Sequence, residues 1–272
     1  MSFLDETIET SSSELIFDLE AKVDLNTGLQ LVRHKLKYPW SLGRPFHEHG
    51  NKKMLRIIPQ MAGAGFLSGD KFAHRLRVND KAIATLESAG ATLILPGAKG
   101  PVLLDWEFHL KGNARLMLDA EPFLLINNSE LINKTKIFID NTSIFLASDF
   151  LGHCFPNKEN YGSWKSEIKV YANDKELVLI DSQKAFSHSF IRAGKILGGY
   201  PSIGSIWLIA PELDCLPIVE RLPNVDCQLA LAELKDGIGY VIRLIANDIG
   251  LLRDSIKKIY DTMKKEIQDL DH

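Results

Sequence analysis

Residues 102–152, VLLDWEFHLKGNARLMLDAEPFLLINNSELINKTKIFIDNTSIFLASDFLG, decide the fold. The stretch is a series of short apolar or alternating runs: VLLDWEFHL, ARLMLDA, FLLIN, TKIFID and SIFLASDFLG. Gly112-Asn113, Asn127-Asn128 and Asp140-Asn141 punctuate them. A period of two sends alternate side chains to opposite faces of a strand, and Gly, Asn and Asp accept the backbone of tight turns. Helical spacing is almost absent.

The same texture continues on both sides. ELIFDLEAKV and TGLQLVRHKL flank the turn signal DLNTG, and MLRIIPQ (54–60), HRLRVND (74–80) and KAIATLES (81–88) follow as strands. SEIKVYA, ELVLIDSQKAF and SIWLIA extend the pattern toward the C-terminus. Asn79-Asp80 and Asn173-Asp174 read as tight turns between neighbouring strands. Short strands at spacings of about ten residues imply a sandwich, barrel or solenoid, and no fixed-period repeat selects the solenoid.

Composition shifts after Pro211. PELDCLPIVERLP fits a short helix stopped near Pro223. CQLALAEL and GYVIRLIA form a hairpin about Lys235-Asp236-Gly237. DIGLLRDSIKKIYDTMKKEIQDL is the one long helix, with Asp248 as N-cap. Its stripe is Ile249, Leu252, Ile256, Ile259, Met263 and Leu270. The expected organisation is a disordered tail at 1–13, a β-rich body at 14–211, and a C-terminal α+β portion at 212–272 packed on that body.

The chain has 272 residues, 45% apolar and 25% charged, with net charge −3. That is globular composition without the basic excess that nucleic acid or an anionic membrane would call for. Cys154, Cys215 and Cys227 share no CxxC spacing, which argues against a cysteine zinc site and a disulfide scaffold. The N-terminus lacks the basic and apolar regions of a signal peptide, and no apolar run is long enough to span a membrane. A soluble, cytoplasmic protein is expected.

Three motifs could carry chemistry. GFLSGDKF (65–72) fails as a P-loop, because GxxxxGK[ST] is absent, Asp70 has the wrong sign for phosphate, and no periodic helix follows. GAGFLSG also lacks the GxGxxG spacing and a βαβ setting. In FHEHG, His47 and His49 share one side of a strand and could share a metal. In GHCFP, His153 and Cys154 face opposite ways on a strand and could chelate only from a loop. No GxSxG elbow is present. Trp106, Trp164 and Trp207 could stack on sugars but are more simply core residues.

The segment GRPFHEHGNKKMLRIIPQMAGAGFLSGDKF resembles the N-terminal signature of the urease accessory protein UreD family, also called UreH. Arg44-Pro45-Phe46 matches its Arg-Pro-aromatic element. Gly69-Asp70 matches the end of its Gly-Gly-Asp, with Ser68 in place of the first glycine. TLESAGATLIL is similar to its Thr-x-x-Ala-Ser/Thr-Lys segment at Thr85, Gly90, Ala91 and Thr92, with Leu93 at the lysine. SIFLASDFLGHCFP resembles a Leu-Gly-Arg-Pro strand, keeping Asp149 and Gly152 in character and placing His153-Cys154 at Arg-Pro. GGYPSIGSIWLIAP resembles a late strand with Gly204 and Ser205 in register. The resemblance runs from about residue 15 to 265.

The resemblance implies a mainly β fold of many short strands in a stacked, sandwich-like or β-helical arrangement, ending in a helix–hairpin–helix portion. It implies a non-enzyme: a scaffold and nickel-transfer chaperone acting on apo-urease with UreF-type and UreG-type partners, the nucleotide belonging to the GTPase partner. Nickel would pass through an internal tunnel, with Asp70, Glu87 and Thr92 as passage candidates. His47, His49, His153 and Cys154 are candidate transient ligands peculiar to this sequence, not carried over from the family. Arg44, Pro45, Gly69, Gly90, Gly152 and Gly204 would be structural. The alternatives are a divergent scaffold for another metalloenzyme, or a β-rich metal-dependent hydrolase using His47, Glu48 and His49.

Overall fold

Twenty strands and three helices make up the described chain. The computed structural model describes residues 14–24, 28–47, 54–63, 65–154, 160–173, 176–199 and 201–270. The early strands are β1 (Leu15–Asp24), β2 (Gly28–Leu36), β3 (Trp40–Leu42), β4 (Phe46–His47), β5 (Met54–Ile57), β6 (Pro59–Met61) and β7 (Gly65–Phe66). The central ones are β8 (Lys71–Asn79), β9 (Ile83–Glu87), β10 (Thr92–Ile94), β11 (Val102–Lys111), β12 (Arg115–Asp119), β13 (Phe123–Leu125), β14 (Glu130–Ile139) and β15 (Ile144–His153). The last are β16 (Ser163–Ala172), β17 (Glu176–Ala185), β18 (Ser202–Ile209), β19 (Gln228–Glu233) and β20 (Gly239–Ala246). The helices are α1 (Ser187–Leu197), α2 (Leu216–Val219) and α3 (Ile249–Asp269).

The central strands wind into a three-sided, solenoid-like stack. One side is the parallel run β8-β11-β14-β16, extended by β1 and β2 at one end and β17 at the other. The second is β5-β9-β12-β15, continued antiparallel by β18, β20 and β19. The third is the short parallel run β7-β10-β13 ending on the last residues of β15. Successive coils advance by 32, 29 and 33 residues, pairing Lys71 with Leu103, Val102 with Leu131, and Glu130 with Ser163. Unequal coils leave no fixed period in the sequence.

The corners explain the Gly, Asn and Asp punctuation. Asp80, Lys81, Gly112 and Asn113 adopt positive φ, a region that Gly, Asn and Asp enter most readily. One corner hydrogen-bonds to the next: Asp80 N to Lys111 O, Lys81 N to Gly112 O, and Gly112 N to Asp140 Oδ2. Asn79-Asp80 is therefore a corner carrying the chain from the first side to the second, not the turn of a hairpin. Asn173 does stand at an antiparallel hairpin, between β16 and β17, and Lys235–Gly237 joins β19 to β20.

Burial follows the layers. β8 and β11 alternate because one face meets solvent, whereas β15 is buried at almost every position. Its inner face looks across the stack, and its outer face is covered by α3. Asp248 caps α3 as expected, accepting from Leu251 N at 3.0 Å. The stripe runs through Leu252, Ile256, Ile259 and Met263 to buried Ile267, and Leu270, expected in it, is 43% exposed. Gly152 and Gly204 seat this helix: a Cβ on Gly204 would lie 2.6 Å from Ile256 Cδ1, and one on Gly152 2.9 Å from Ile249. α1 is a helix where only strands were expected before Pro211. Its sole buried residue is Phe190, so it leaves little apolar stripe to read.

Candidate functional site

The space between the sides of the stack is not completely filled. A cavity of about 350 Å³ remains, many times the roughly 10–15 Å³ that one water needs. Aromatic side chains form much of its wall. His74 stacks on Trp106 at 4.0 Å, Trp106 on Phe108 at 5.6 Å, and Trp40 meets His74 edge-on at 5.5 Å. Trp207 closes another part of the wall.

His74 is held neutral. Its Nε2 accepts from Trp40 Nε1 at 3.0 Å, and Nδ1 faces the Asp105 carbonyl at 3.3 Å. Burial lowers its pKa to about 3. With both nitrogens engaged, it is a wall residue rather than a free ligand.

Polar groups enter the cavity at two levels. The bends after β9 and β12 bring Glu87, Thr92, Asp119 and Glu121 to one end. Glu87 pairs with Arg56, Asp119 with Lys257 at 2.7 Å, and Glu121 with Arg253 at 2.6 Å. Burial raises the Asp119 pKa, with Lys257 opposing it. Further along the wall stand Asn133, Ser148 and Asp149. Asp149 keeps accessible surface although protein surrounds it, because it looks into the cavity. Burial raises its pKa to about 6, opposed by Arg243 and by a hydrogen bond from Asn133.

Of the expected passage residues, Glu87 and Thr92 line the cavity. Asp70 sits at the corner between β7 and β8, where its Oδ2 accepts from Leu67 N at 2.8 Å. That corner stacks on the next, through Gly69 N to Gly100 O at 3.0 Å and Ser68 Oγ to Gly100 O at 2.8 Å. Gly69 has φ +85°, and a Cβ there would meet Lys99 at 2.6 Å, so the corner requires glycine. Gly90 lines the cavity with open space about its Cα, and Arg44 and Pro45 lie between β3 and β4.

The expected transient ligands are not gathered. His47 lies on β4 opposite Leu55, and His153 lies at the end of β15 opposite Leu125. His153 is 8% exposed and packs edge-on against Tyr161 and Phe190 at 4.7 and 4.4 Å, and burial lowers its pKa to about 4. Cys154 follows on a bend, half-buried. Glu48, His49 and the 1–13 tail lie outside the described residues. Among the described residues no group of three or more His, Cys, Asp or Glu is placed to hold a metal ion. Trp164 and Trp207 are buried core residues, and Trp106 belongs to the cavity wall. No described helix is long and apolar enough to cross a membrane.

Asp149, Asn133 and Arg243 were not among the expected site residues. Asp149 and Arg243 are each the one charged side chain in a largely apolar run, SIFLASDFLG and GYVIRLIA, whereas Asn133 is one of several polar residues of ELINKTKIFI and carries no such signal.

A family model described as UreD urease accessory protein matches residues 14–271. Curated relatives carry the name "Urease accessory protein UreD". The one from Bacillus sp. (strain TB-90) is 23% identical over 239 residues, covering 83% of this chain and 85% of its own. The one from Mycolicibacterium smegmatis is 22% identical over 230 residues, covering 84% and 82%. The one from Staphylococcus aureus (strain Newman) is 26% identical over 223 residues, covering 76% and 78%.

Proposed function

Because this chain belongs to the urease accessory protein UreD family, we propose that it is a scaffold and nickel-transfer chaperone. Its client is apo-urease, and it works in a complex with UreF-type and UreG-type proteins, the latter supplying the GTPase. Nickel is the cargo, and the internal cavity is its route.

One observation supports the route above the others: a cavity of about 350 Å³ with Glu87 and Thr92 at one end and Asp149 further along its wall. Carboxylate and hydroxyl oxygens suit a divalent ion. Carboxylates already paired with Arg56, Lys257 and Arg253 bind a visiting ion less tightly than free ones, which favours release. The aromatic wall offers few competing ligands and keeps the route narrow.

Co-expression with urease and the partner proteins tests this. Removing the chain should leave urease assembled but largely without nickel and inactive. Full urease activity without it would end the proposal. Glu87→Gln should lower nickel delivery several-fold while the partners still co-purify.

A further inference from the structure

The second side of the stack ends on β19, and among the described residues this end is open. All six residues of β19 are exposed. Leu229 and Leu231 keep 42% and 43% of their surface, although each stands opposite a buried residue of β20, Leu244 and Ile242. A free edge offers unpaired N–H and C=O groups to any other strand, and edges are ordinarily blunted by charge, by a bulge or by shortness. The other described edges are blunted in these ways. β2 carries Arg33, His34 and Lys35 in succession, and its pairing shifts at Glu20/Ala21. β17 carries Glu176, Asp181 and Lys184, and its pairing shifts at Val170/Tyr171. β3, β4, β6 and β7 are two or three residues long. β19 reads QLALAE and carries no charge before its last residue.

The direction of its backbone groups is fixed. Leu234 N donates to Gly239 O at 2.8 Å, and the β19–β20 register runs on from there without a shift. Antiparallel bonding alternates, so Ala232, Ala230 and Gln228 bond to β20, and the N–H and C=O groups of Leu229, Leu231 and Glu233 point to the open edge. Such groups are satisfied by another strand, and β19 itself fits. A two-fold axis normal to the sheet at Ala230 sets Leu229 opposite the partner's Leu231 and Leu231 opposite the partner's Leu229. Both are hydrogen-bonded pairs, which makes four backbone hydrogen bonds across the axis. Gln228 faces the partner's Ala232 and Cys227 faces the partner's Glu233, so no like charges meet. The four leucines share one face and extend the apolar layer of Ile242 and Leu244 beneath α3. An axis at Leu231 would instead set Leu229 against the partner's Glu233, a poorer cross-strand pair.

We propose that β19 is a self-pairing edge: two copies of this chain join β19 to β19 antiparallel about Ala230, and the second sheet runs continuously through both. The contact is one strand wide, which places it among small, reversible interfaces, so association follows concentration. This surface is independent of the reading of the cavity as a nickel route.

The test is sedimentation equilibrium of the purified full chain over a concentration series. The wild-type mass should rise from 30.5 kDa toward twice that value. Leu231→Lys changes an exposed position, so the fold is spared, and its mass should stay at 30.5 kDa throughout. Cysteine pairs then test the register, in a Cys154→Ser/Cys227→Ser background. Ala230→Cys faces its own copy in a non-hydrogen-bonded pair with Cα atoms about 4.5 Å apart, a separation that a disulfide spans. Ala232→Cys stands four residues along from its own copy, roughly 13 Å away, beyond that reach. With oxidised glutathione, the first should run as a covalent dimer and the second as a monomer. Circular dichroism establishes that each variant is folded, and the mass of Leu231→Lys decides the matter where a cysteine variant is not. A wild-type mass of 30.5 kDa at every concentration would overturn self-pairing. Equal association of wild type and Leu231→Lys would overturn the role of β19. Cross-linking through Ala232→Cys in place of Ala230→Cys would overturn the pairing about Ala230.

Discussion

His74 is fixed as a neutral imidazole by Trp40, the Asp105 carbonyl and burial. In the unfolded chain it protonates near 6.5, whereas in the fold it resists protonation down to about 3. The stability it contributes is therefore full above pH 6.5 and is lost as pH falls toward 3. His153, lowered to about 4, has the same sign. Asp149 has the opposite one. Its folded pKa of about 6 exceeds 3.8, so its contribution is present below 3.8 and disappears as pH rises through 6. Asp119, also raised by burial, shares the sign of Asp149. Both histidines act from pH 6.5 downward and Asp149 opposes them only below about 6, so urea unfolding should show lower stability at pH 5 than at pH 7. His74→Gln should flatten that dependence by roughly 2 kcal/mol. A wild-type midpoint unchanged between these pH values would contradict the buried neutral rings. Asp70 makes a simpler prediction. It ties its own corner through Leu67 N, so Asp70→Ala should cost about 1 kcal/mol in denaturant. Asp70→Asn should leave nickel delivery unchanged, and lowered delivery with the complex intact would put this carboxylate on the route.

At the scale of elements, α3 is the lid on the second side of the stack, and two glycines set its distance. Gly204→Val would drive a side chain into Ile256 and Phe150, where the nearest atoms already stand at 2.6 and 2.8 Å. The expected loss is about 1–3 kcal/mol. Asp248→Ala removes the cap and should cost about 1 kcal/mol. Urea denaturation checks both, and an unchanged Gly204→Val midpoint would show that α3 is not seated there. The α3 cap and most of its stripe were legible because Asp248 and the three-four spacing are local features. The strands were legible for the same reason. What local chemistry could not decide was where each strand goes next. Asp80 and Lys81 have φ near +55° and +62°, a conformation that hairpins and solenoid corners both use. Telling the two apart requires the partner strand, which lies about thirty residues away in sequence. The site was half legible. Glu87 and Thr92 fall in segments with a recognisable family pattern. Asn133, Asp149 and Arg243 come from three separate strands and become a group only when β14, β15 and β20 are brought to one space.

On the scale of the whole molecule, the stack is a wall of strands around a cavity, and proposed delivery depends on that cavity being open. Ala91 is exposed and lines its rim, so Ala91→Trp places a plug at the mouth with little demand on the core. Ala98 is exposed on a turn away from the cavity lining, and Ala98→Trp is the matched control. The most direct measurement is the nickel content of urease purified after co-expression with each variant and the UreF-type and UreG-type partners. The account predicts nickel-poor urease with Ala91→Trp, nickel-replete urease with Ala98→Trp, and an assembled complex in both. Nickel-replete urease with a folded, plugged Ala91→Trp variant would contradict it.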